Sequence, residues 1–206
     1  MTISDFDKYH WRYFHTLEKD FLETERYITF DLGDNNLYKD EDVTDYGNSK
    51  CFSTEFVKQY LSICSEIDVI LKSMCKEINS GFTGDKINHY TPVILNWKPM
   101  IVEQEVLMKD IKLKPFSNWN AEQSPDWWRP YNKVKHERLS NYKEANLKNV
   151  VNALAGLYVL ERYFAKYIGD RDNERDIPED ESKIFRLPNY DTRCDTLDGV
   201  YAVKCQ

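Results

Sequence analysis

A helix that is apolar on nearly every side is the feature that most constrains this fold. The segment from about residue 141 to 168 has helical periodicity, and apolar side chains surround it between Val150 and Leu160. Such a helix must be covered by other elements, because a large apolar surface is unfavourable in water. The sequence therefore predicts a helical bundle with this helix at its centre.

One carboxylate lies within that apolar stretch. Glu161 falls within the angular spread of Leu154, Leu157 and Tyr158. A buried carboxylate is costly unless a partner compensates its charge. Two interpretations stay open: an arginine or lysine from another helix pairs with Glu161, or Glu161 lies where the bundle opens to solvent.

Two further amphipathic helices are predicted to pack around the central one. Residues 5–28 carry apolar side chains at steps of three and four, after Ser4 or Asp5 as N-cap. The second stripe begins after Ser53 and ends before Gly81, and it is the most regular in the chain. Its members are Phe56, Tyr60, Ile63, Cys64, Ile67, Leu71, Met74 and Ile78.

The segments between these helices are less regular. Residues 31–50 are polar and acidic, which predicts a long loop. Thr91–Leu95 fits a short helix or a strand. Met100–Leu113 is rich in Val, Ile and Leu and predicts a small β-ribbon, within an insertion of about residues 97–115.

The predicted fold is mainly α: an antiparallel helical bundle with a small β insertion and an irregular C-terminal extension. Residues 1–168 form the bundle domain, and residues 169–206 form an acidic linker and a C-terminal arm. KIFRLPN (183–189) and VYAVKC (200–205) alternate in polarity, so they predict either extra strands or an arm that binds a partner protein.

Composition limits the classes of function. The net charge is −7, so the molecule as a whole does not attract nucleic acid, and any such role needs a local basic patch. The five cysteines show no metal-ligand spacing, which predicts reduced core thiols in a cytoplasmic protein. No apolar run is long enough for a membrane span, and no signal peptide is visible.

A local basic patch does occur, in and after the stretch WWRPYNKVKHER (127–138). Between Arg129 and Lys148 there are six Lys or Arg residues and two Glu, a local charge of +4. That contrast with the rest of the chain predicts contact with phosphate or RNA.

Helical spacing brings the polar members of this stretch onto one face. Arg129 and His136 are seven residues apart and share a helix face, with Asn132 and Lys133 between them. Histidine can take a proton from a ribose 2′-hydroxyl or give one to a leaving oxygen. Arginine can hold the phosphate and stabilise transition-state charge.

The start of this helix is defined by aromatic residues and a proline. Trp127 and Trp128 are typical packing anchors, and the alternative is that they stack on bases. Pro130 requires a helix start near Asp126, because proline fits the first turn of a helix and not its interior.

A helical bundle with a basic segment ending in histidine just before its last long helix resembles the HEPN superfamily. The topological likeness covers residues 5–28 and 53–168, and the motif likeness covers Arg129 to His136, an Arg-x6-His spacing. The more common four-residue spacing would place arginine at position 131, which is Tyr131 here. Many members are metal-independent ribonucleases of bacterial defence and toxin–antitoxin systems that act as dimers with a composite site.

The resemblance implies an endoribonuclease or RNA-binding homodimer that needs no metal and no cofactor. Arg129 and His136 would be catalytic, and the substrate-binding residues would be Asn132, Lys133, Lys135 and Arg138. His10 and His15, five residues apart, are poorly spaced as a metal-ligand pair on a helix. The alternatives are a non-catalytic module that binds a partner protein through the C-terminal arm, and a helical bundle that senses a nucleotide.

Overall fold

The fold is mainly helical, with one small antiparallel sheet, in a computed structural model that describes residues 1–33, 47–173, 178 and 181–188. The α-helices are α1 (Ile3–Phe6), α2 (Arg12–Glu23), α3 (Thr54–Ile78), α4 (Ile87–Trp97), α5 (Trp128–His136), α6 (Arg138–Asn141) and α7 (Leu147–Asp172). A π-helix covers Asp7–Trp11, and 3-10 turns cover Thr24–Arg26, Pro99–Glu103 and Tyr142–Glu144. The strands are β1 (Val106–Met108), β2 (Ile111–Leu113) and β3 (Phe185–Arg186). The predicted fold class is confirmed.

The N-terminal helix begins earlier than the sequence predicted. A capping box at Thr2 starts it: the Thr2 hydroxyl accepts from the Asp5 N–H at 3.1 Å, and the Asp5 carboxylate accepts from the Thr2 N–H at 3.2 Å. The predicted caps, Ser4 and Asp5, already lie inside the helix. A π-helical segment then joins α1 to α2 without a break, which apolar periodicity did not indicate.

Helix α3 follows the prediction closely. The Ser53 hydroxyl accepts from the Phe56 N–H at 3.0 Å, which satisfies one of the donors left free at a helix start. The helix ends at Ile78, three residues before Gly81. Its apolar stripe packs along α7, and this contact forms the centre of the core.

Helix α7 is the buried central helix, but both predicted ends were wrong. It begins at Leu147 because the Asn146 side chain caps it, accepting from the Asn149 N–H at 3.0 Å. It continues through Gly169, where the sequence predicted the tail to start, and Gly169 is buried within it. Asn173 ends the helix in the left-handed conformation, with φ of 53°.

Gly156 in α7 allows the segment before α5 to pack closely against this helix. A Cβ added at Gly156 would lie 3.1 Å from Cζ2 of Trp127 and 3.3 Å from Cζ of Phe116. The absence of a side chain therefore lets two large rings pack directly on the α7 backbone.

The segment between α3 and α5 contains a stretch for which the sequence predicted either a helix or a strand. Thr91–Leu95 lies inside α4, so it is helical. The predicted ribbon is confirmed in a narrower form: β1 and β2 pair antiparallel with Val106 opposite Leu113. Trp97 is the last residue of α4, and the rest of the 97–115 insertion is a 3-10 turn and connecting chain.

The segment 181–188 adds a third strand to the small sheet. Strand β3 pairs antiparallel with β1, giving the sheet order β2-β1-β3, and the side chains of Phe185 and Leu187 are buried. The strand interpretation of KIFRLPN is thus confirmed for Phe185–Arg186. VYAVKC and most of the predicted 31–50 loop lie outside the described residues.

The sequence predicted no membrane-spanning helix and reduced cysteines in the core. Within those residues, no helix combines the length and apolar character needed to cross a membrane. Cys51, Cys64 and Cys75 are free thiols, and Cys64 and Cys75 are buried. Burial raises the pKa of the Cys75 thiol to about 12 and that of Cys64 well above its usual value, so both are unreactive packing residues.

Glu161 is buried as its place on α7 indicated, but the described part of the chain supports neither predicted explanation for it. Its side chain has no exposed surface, so it does not lie where the bundle opens. Among the described residues, no hydrogen-bond partner reaches either of its carboxylate oxygens, so no arginine or lysine compensates it directly. Burial, and secondly the charge of Glu66, raise the pKa of Glu161 well above its usual range.

Candidate functional site

The start of α5 is fixed to the core by the two tryptophans, which confirms their predicted role as anchors. Trp127 and Trp128 are both buried. The Trp127 indole N–H donates to the Pro115 carbonyl at 2.8 Å, and the Tyr60 hydroxyl donates to the Trp127 carbonyl. Pro130 is the third residue of α5, within the first turn as predicted.

A half-open pocket of about 440 Å³ lies beside α5. Its walls come from α3, from the chain that leads into α4, and from one face of α5. The lining residues are Ser65, Asp68, Asp85, Lys86, Ile87, Asn88, Trp128, Tyr131, Asn132, Lys135 and His136. The same α5 face therefore anchors the helix with its aromatic residues and presents polar groups at the pocket edge.

The pocket brings together some of the predicted site residues and not others. His136, Asn132 and Lys135 line it, with His136 and Lys135 exposed and Asn132 half-buried. Arg129 is exposed at the first turn of α5 and does not line the pocket. It is seven positions before His136, about 10 Å along the helix axis.

The two remaining predicted residues lie outside the pocket. Lys133 is exposed, and its ammonium group lies 3.8 Å from the Glu144 carboxylate. Arg138 is exposed in α6. Lys133, Lys135 and His136 also occupy the last turn of α5, where the helix dipole stabilises positive charge, so part of this cationic character has a structural reason.

Sequence reasoning missed the pocket residues that come from other elements. Asp68 lies on α3 and accepts from the Tyr90 hydroxyl at 3.2 Å. Asp85 lies 3.4 Å from the His89 ring, and Lys86 is the residue before α4. No local pattern around these residues indicates that they meet α5, because long-range packing alone brings them there.

The arrangement gives the pocket groups of both charges. Lys86, Lys135 and the imidazole of His136 suit a phosphate or another anion, whereas Asp68 and Asp85 suit N–H donors such as those of a nucleobase. Lys135 also lies over the ring of Tyr131, with its ammonium 5.6 Å from the ring centroid. A ligand with an anionic end and a hydrogen-bonding ring matches this distribution better than a pure polyanion does.

In comparisons with known proteins, no protein-family model, curated protein or solved structure matches the chain.

Proposed function

We propose that the protein binds RNA along the cationic face of α5 and α6, and that His136 acts there as general acid or base in metal-independent cleavage. The observation that carries the proposal is that His136 and Asn132 line a pocket while exposed cations continue along the same helix. The chain as a whole has a net charge of −7, so this +4 segment is its natural contact for a phosphate backbone.

The geometry suggests a division of roles within one chain. His136 and Lys135 would contact one nucleotide at the pocket, with Asn132 orienting it. Arg129 lies two helical turns away and would hold a different phosphate of the same strand. The HEPN resemblance implies instead that dimerisation supplies a second set of these residues, and we include a homodimer in the proposal.

RNA binding is tested first, by fluorescence anisotropy with a labelled single-stranded RNA at several salt concentrations. Arg129→Ala and Lys135→Ala should each weaken binding and reduce the salt slope by about 0.7. Lys76→Ala removes an exposed lysine on α3 that does not line the pocket, so it serves as the charge-matched control. Equal weakening by Lys76→Ala, or no binding by wild type, would overturn the proposal.

Cleavage is tested separately, with RNA in EDTA and circular dichroism to verify that the protein stays folded. His136→Ala should lower the cleavage rate by about 10²–10⁴, the usual contribution of a general acid or base, while RNA affinity changes little. Lys76→Ala, which changes an exposed residue of α3 outside the pocket, is the control. Binding without cleavage in wild type would remove the catalytic role of His136 and leave RNA binding.

Dimerisation is measured on the same samples by analytical ultracentrifugation, with and without RNA. A dimer in either condition supports the composite site that the resemblance implies. A monomer in both conditions would contradict it.

Asp68 and Asp85 favour a second candidate function, the binding of a free nucleotide. Their carboxylates can accept hydrogen bonds from a base while Lys86 and Lys135 hold its phosphate. Titration calorimetry with adenine and guanine nucleotides separates this candidate from RNA binding. A nucleotide ligand predicts that Asp68→Asn loses affinity for the nucleotide but not for RNA.

A further inference from the structure

Three ligand-type side chains from three different helical segments meet in the interior of the bundle. His10 comes from the π-helix, Glu66 from α3 and Glu161 from α7. One ligand atom from each lies within 4.8 Å of the others. All three residues are buried, with relative exposures of 4%, 7% and 0%.

The cluster is incompletely satisfied by the protein's own groups. Nδ1 of His10 lies 2.7 Å from Oε1 of Glu66, so these two form a close pair. Neither oxygen of Glu161 has a hydrogen-bond partner among the described residues, although the side chain is fully enclosed. Buried polar groups nearly always have partners, and an orphaned one often indicates a ligand or an ion.

We propose that His10, Glu66 and Glu161 bind a divalent first-row transition metal ion, such as Zn²⁺, Mn²⁺ or Fe²⁺, inside the bundle. The donor set is one imidazole nitrogen with two carboxylates, which suits these ions, whereas Mg²⁺ and Ca²⁺ prefer oxygen ligands alone. The two carboxylate charges match a divalent cation, so binding neutralises negative charge that burial otherwise makes costly.

The site needs only small adjustments to hold an ion. Two neighbouring ligands on one ion lie roughly 3.0–3.4 Å apart when each is about 2.1 Å from the metal, so the ion would replace the shared proton of the 2.7 Å His10–Glu66 hydrogen bond and separate these two atoms slightly. With both oxygens free of partners, Glu161 can bind through its whole carboxylate, which brings the protein donors to four. A side-chain shift on the order of 1 Å closes the 4.8 Å cluster around an ion.

The surroundings indicate a structural role for the ion. The ring of Phe6 lies stacked near His10, and the ring of Phe164 packs edge-on to it, at centroid distances of 6.0 Å and 6.2 Å. Aromatic rings therefore pack against His10 from two sides, and the ion would link the N-terminal helix to α3 and α7.

The backbone around His10 gives independent support. Residues Asp7–Trp11 adopt the rare π-helical form, which occurs often at functional sites because it re-aims side chains within a helix. Here the rare segment contains the imidazole that faces two carboxylates. The metal site does not depend on the RNA proposal, since His136 and its pocket lie on other elements.

The experiment uses the full chain, purified without a histidine tag, unfolded in EDTA and refolded with or without Co²⁺. Wild type should take up an equimolar amount of Co²⁺, develop d–d absorption bands and unfold at a higher temperature than the metal-free protein. Glu161→Gln preserves the shape of the side chain and removes its charge, so it should fold and lose Co²⁺ affinity by about tenfold or more.

Two matched variants complete the design. Glu23→Gln changes an exposed glutamate of α2 and His89→Ala an exposed histidine of α4, and both should bind Co²⁺ as wild type does. Should Glu161→Gln fail to fold, His10→Gln carries the same test. A folded wild type that takes up no Co²⁺, or equal uptake by wild type and the folded ligand variant, would overturn the proposal.

Discussion

Glu18 on α2 and Glu161 on α7 are both buried glutamates, and they differ almost completely in their partners. Glu18 accepts hydrogen bonds from the Ser182 hydroxyl, from the Lys183 N–H at 3.0 Å and from the Ile184 N–H at 3.4 Å. Its other oxygen lies 3.2 Å from Nδ1 of His15. Within the described residues, Glu161 has no such donor.

The pKa values of the two carboxyls show what that difference does. Burial alone would raise the pKa of Glu18, but hydrogen bonds from His15, Ser182 and Lys183 bring it below its usual value. Burial raises the pKa of Glu161 well above its usual range, and the charge of Glu66 adds to the effect. The supply of donors therefore has a large part in whether a buried carboxylate stabilises this fold.

The largest effect is expected from removing the satisfied carboxylate. Glu18→Ala should lower the free energy of unfolding by about 3 kcal/mol, because it leaves backbone N–H groups without the charged acceptor to which they donate. Urea unfolding measures the loss, and hydrogen exchange at Lys183 and Ile184 should accelerate. Glu23→Ala on the same helix is the exposed control, and similar losses in both variants would contradict the assigned role of Glu18.

The opposite sign is expected at the unsatisfied carboxylate. In metal-free protein, Glu161→Leu should raise the free energy of unfolding by about 1–2 kcal/mol, because it replaces an uncompensated buried acid with an apolar side chain of similar size. Urea unfolding in EDTA measures the gain. A clear loss of stability would show that Glu161 has a partner in the folded protein and would remove the contrast with Glu18.

For these two glutamates, the sequence predicts burial better than it predicts contact partners. The helical wheel of α7 predicts correctly that Glu161 is buried, because apolar neighbours surround it on its own helix. It does not reveal the neighbours themselves, since His10 and Glu66 come from the π-helix and α3, far from Glu161 in the sequence. Glu18 has one near partner, His15 three residues away, but Ser182 is separated from it by 164 residues.

The α5 pocket likewise combines a part that the sequence predicts with contacts that it does not. The helix face predicted from spacing held Arg129, Asn132, Lys133 and His136, but only Asn132 and His136 line the pocket, whereas the tryptophans anchor the helix as predicted. Asp68 and Lys86 enter the pocket only through the packing of other helices against α5. Local periodicity therefore indicated part of one pocket wall, whereas the opposite wall required the tertiary structure.

A smaller effect is expected from acid, because a protonated Glu18 keeps part of its hydrogen bonding. Since the pKa of Glu18 in the folded protein lies below its usual value of 4.5, the folded state binds fewer protons than the unfolded state. The stability that Glu18 contributes is thus present above pH 4.5 and is lost as the pH falls through the folded pKa. The difference in unfolding free energy between wild type and Glu18→Gln should shrink over that range, and a constant difference would contradict this assignment.

The smallest effect is expected from removing a single donor. Ser182→Ala should cost about 1 kcal/mol, because Glu18 keeps its backbone donors and His15 while the Ser182 hydroxyl is lost. That hydroxyl also accepts from the Phe185 N–H at 2.8 Å, so exchange should accelerate at Phe185. Ser62→Ala is the matched control, since its hydroxyl donates to the Lys58 carbonyl of its own helix. A loss as large as that of Glu18→Ala would mean that one hydroxyl, and not the combined set of donors, distinguishes Glu18 from Glu161.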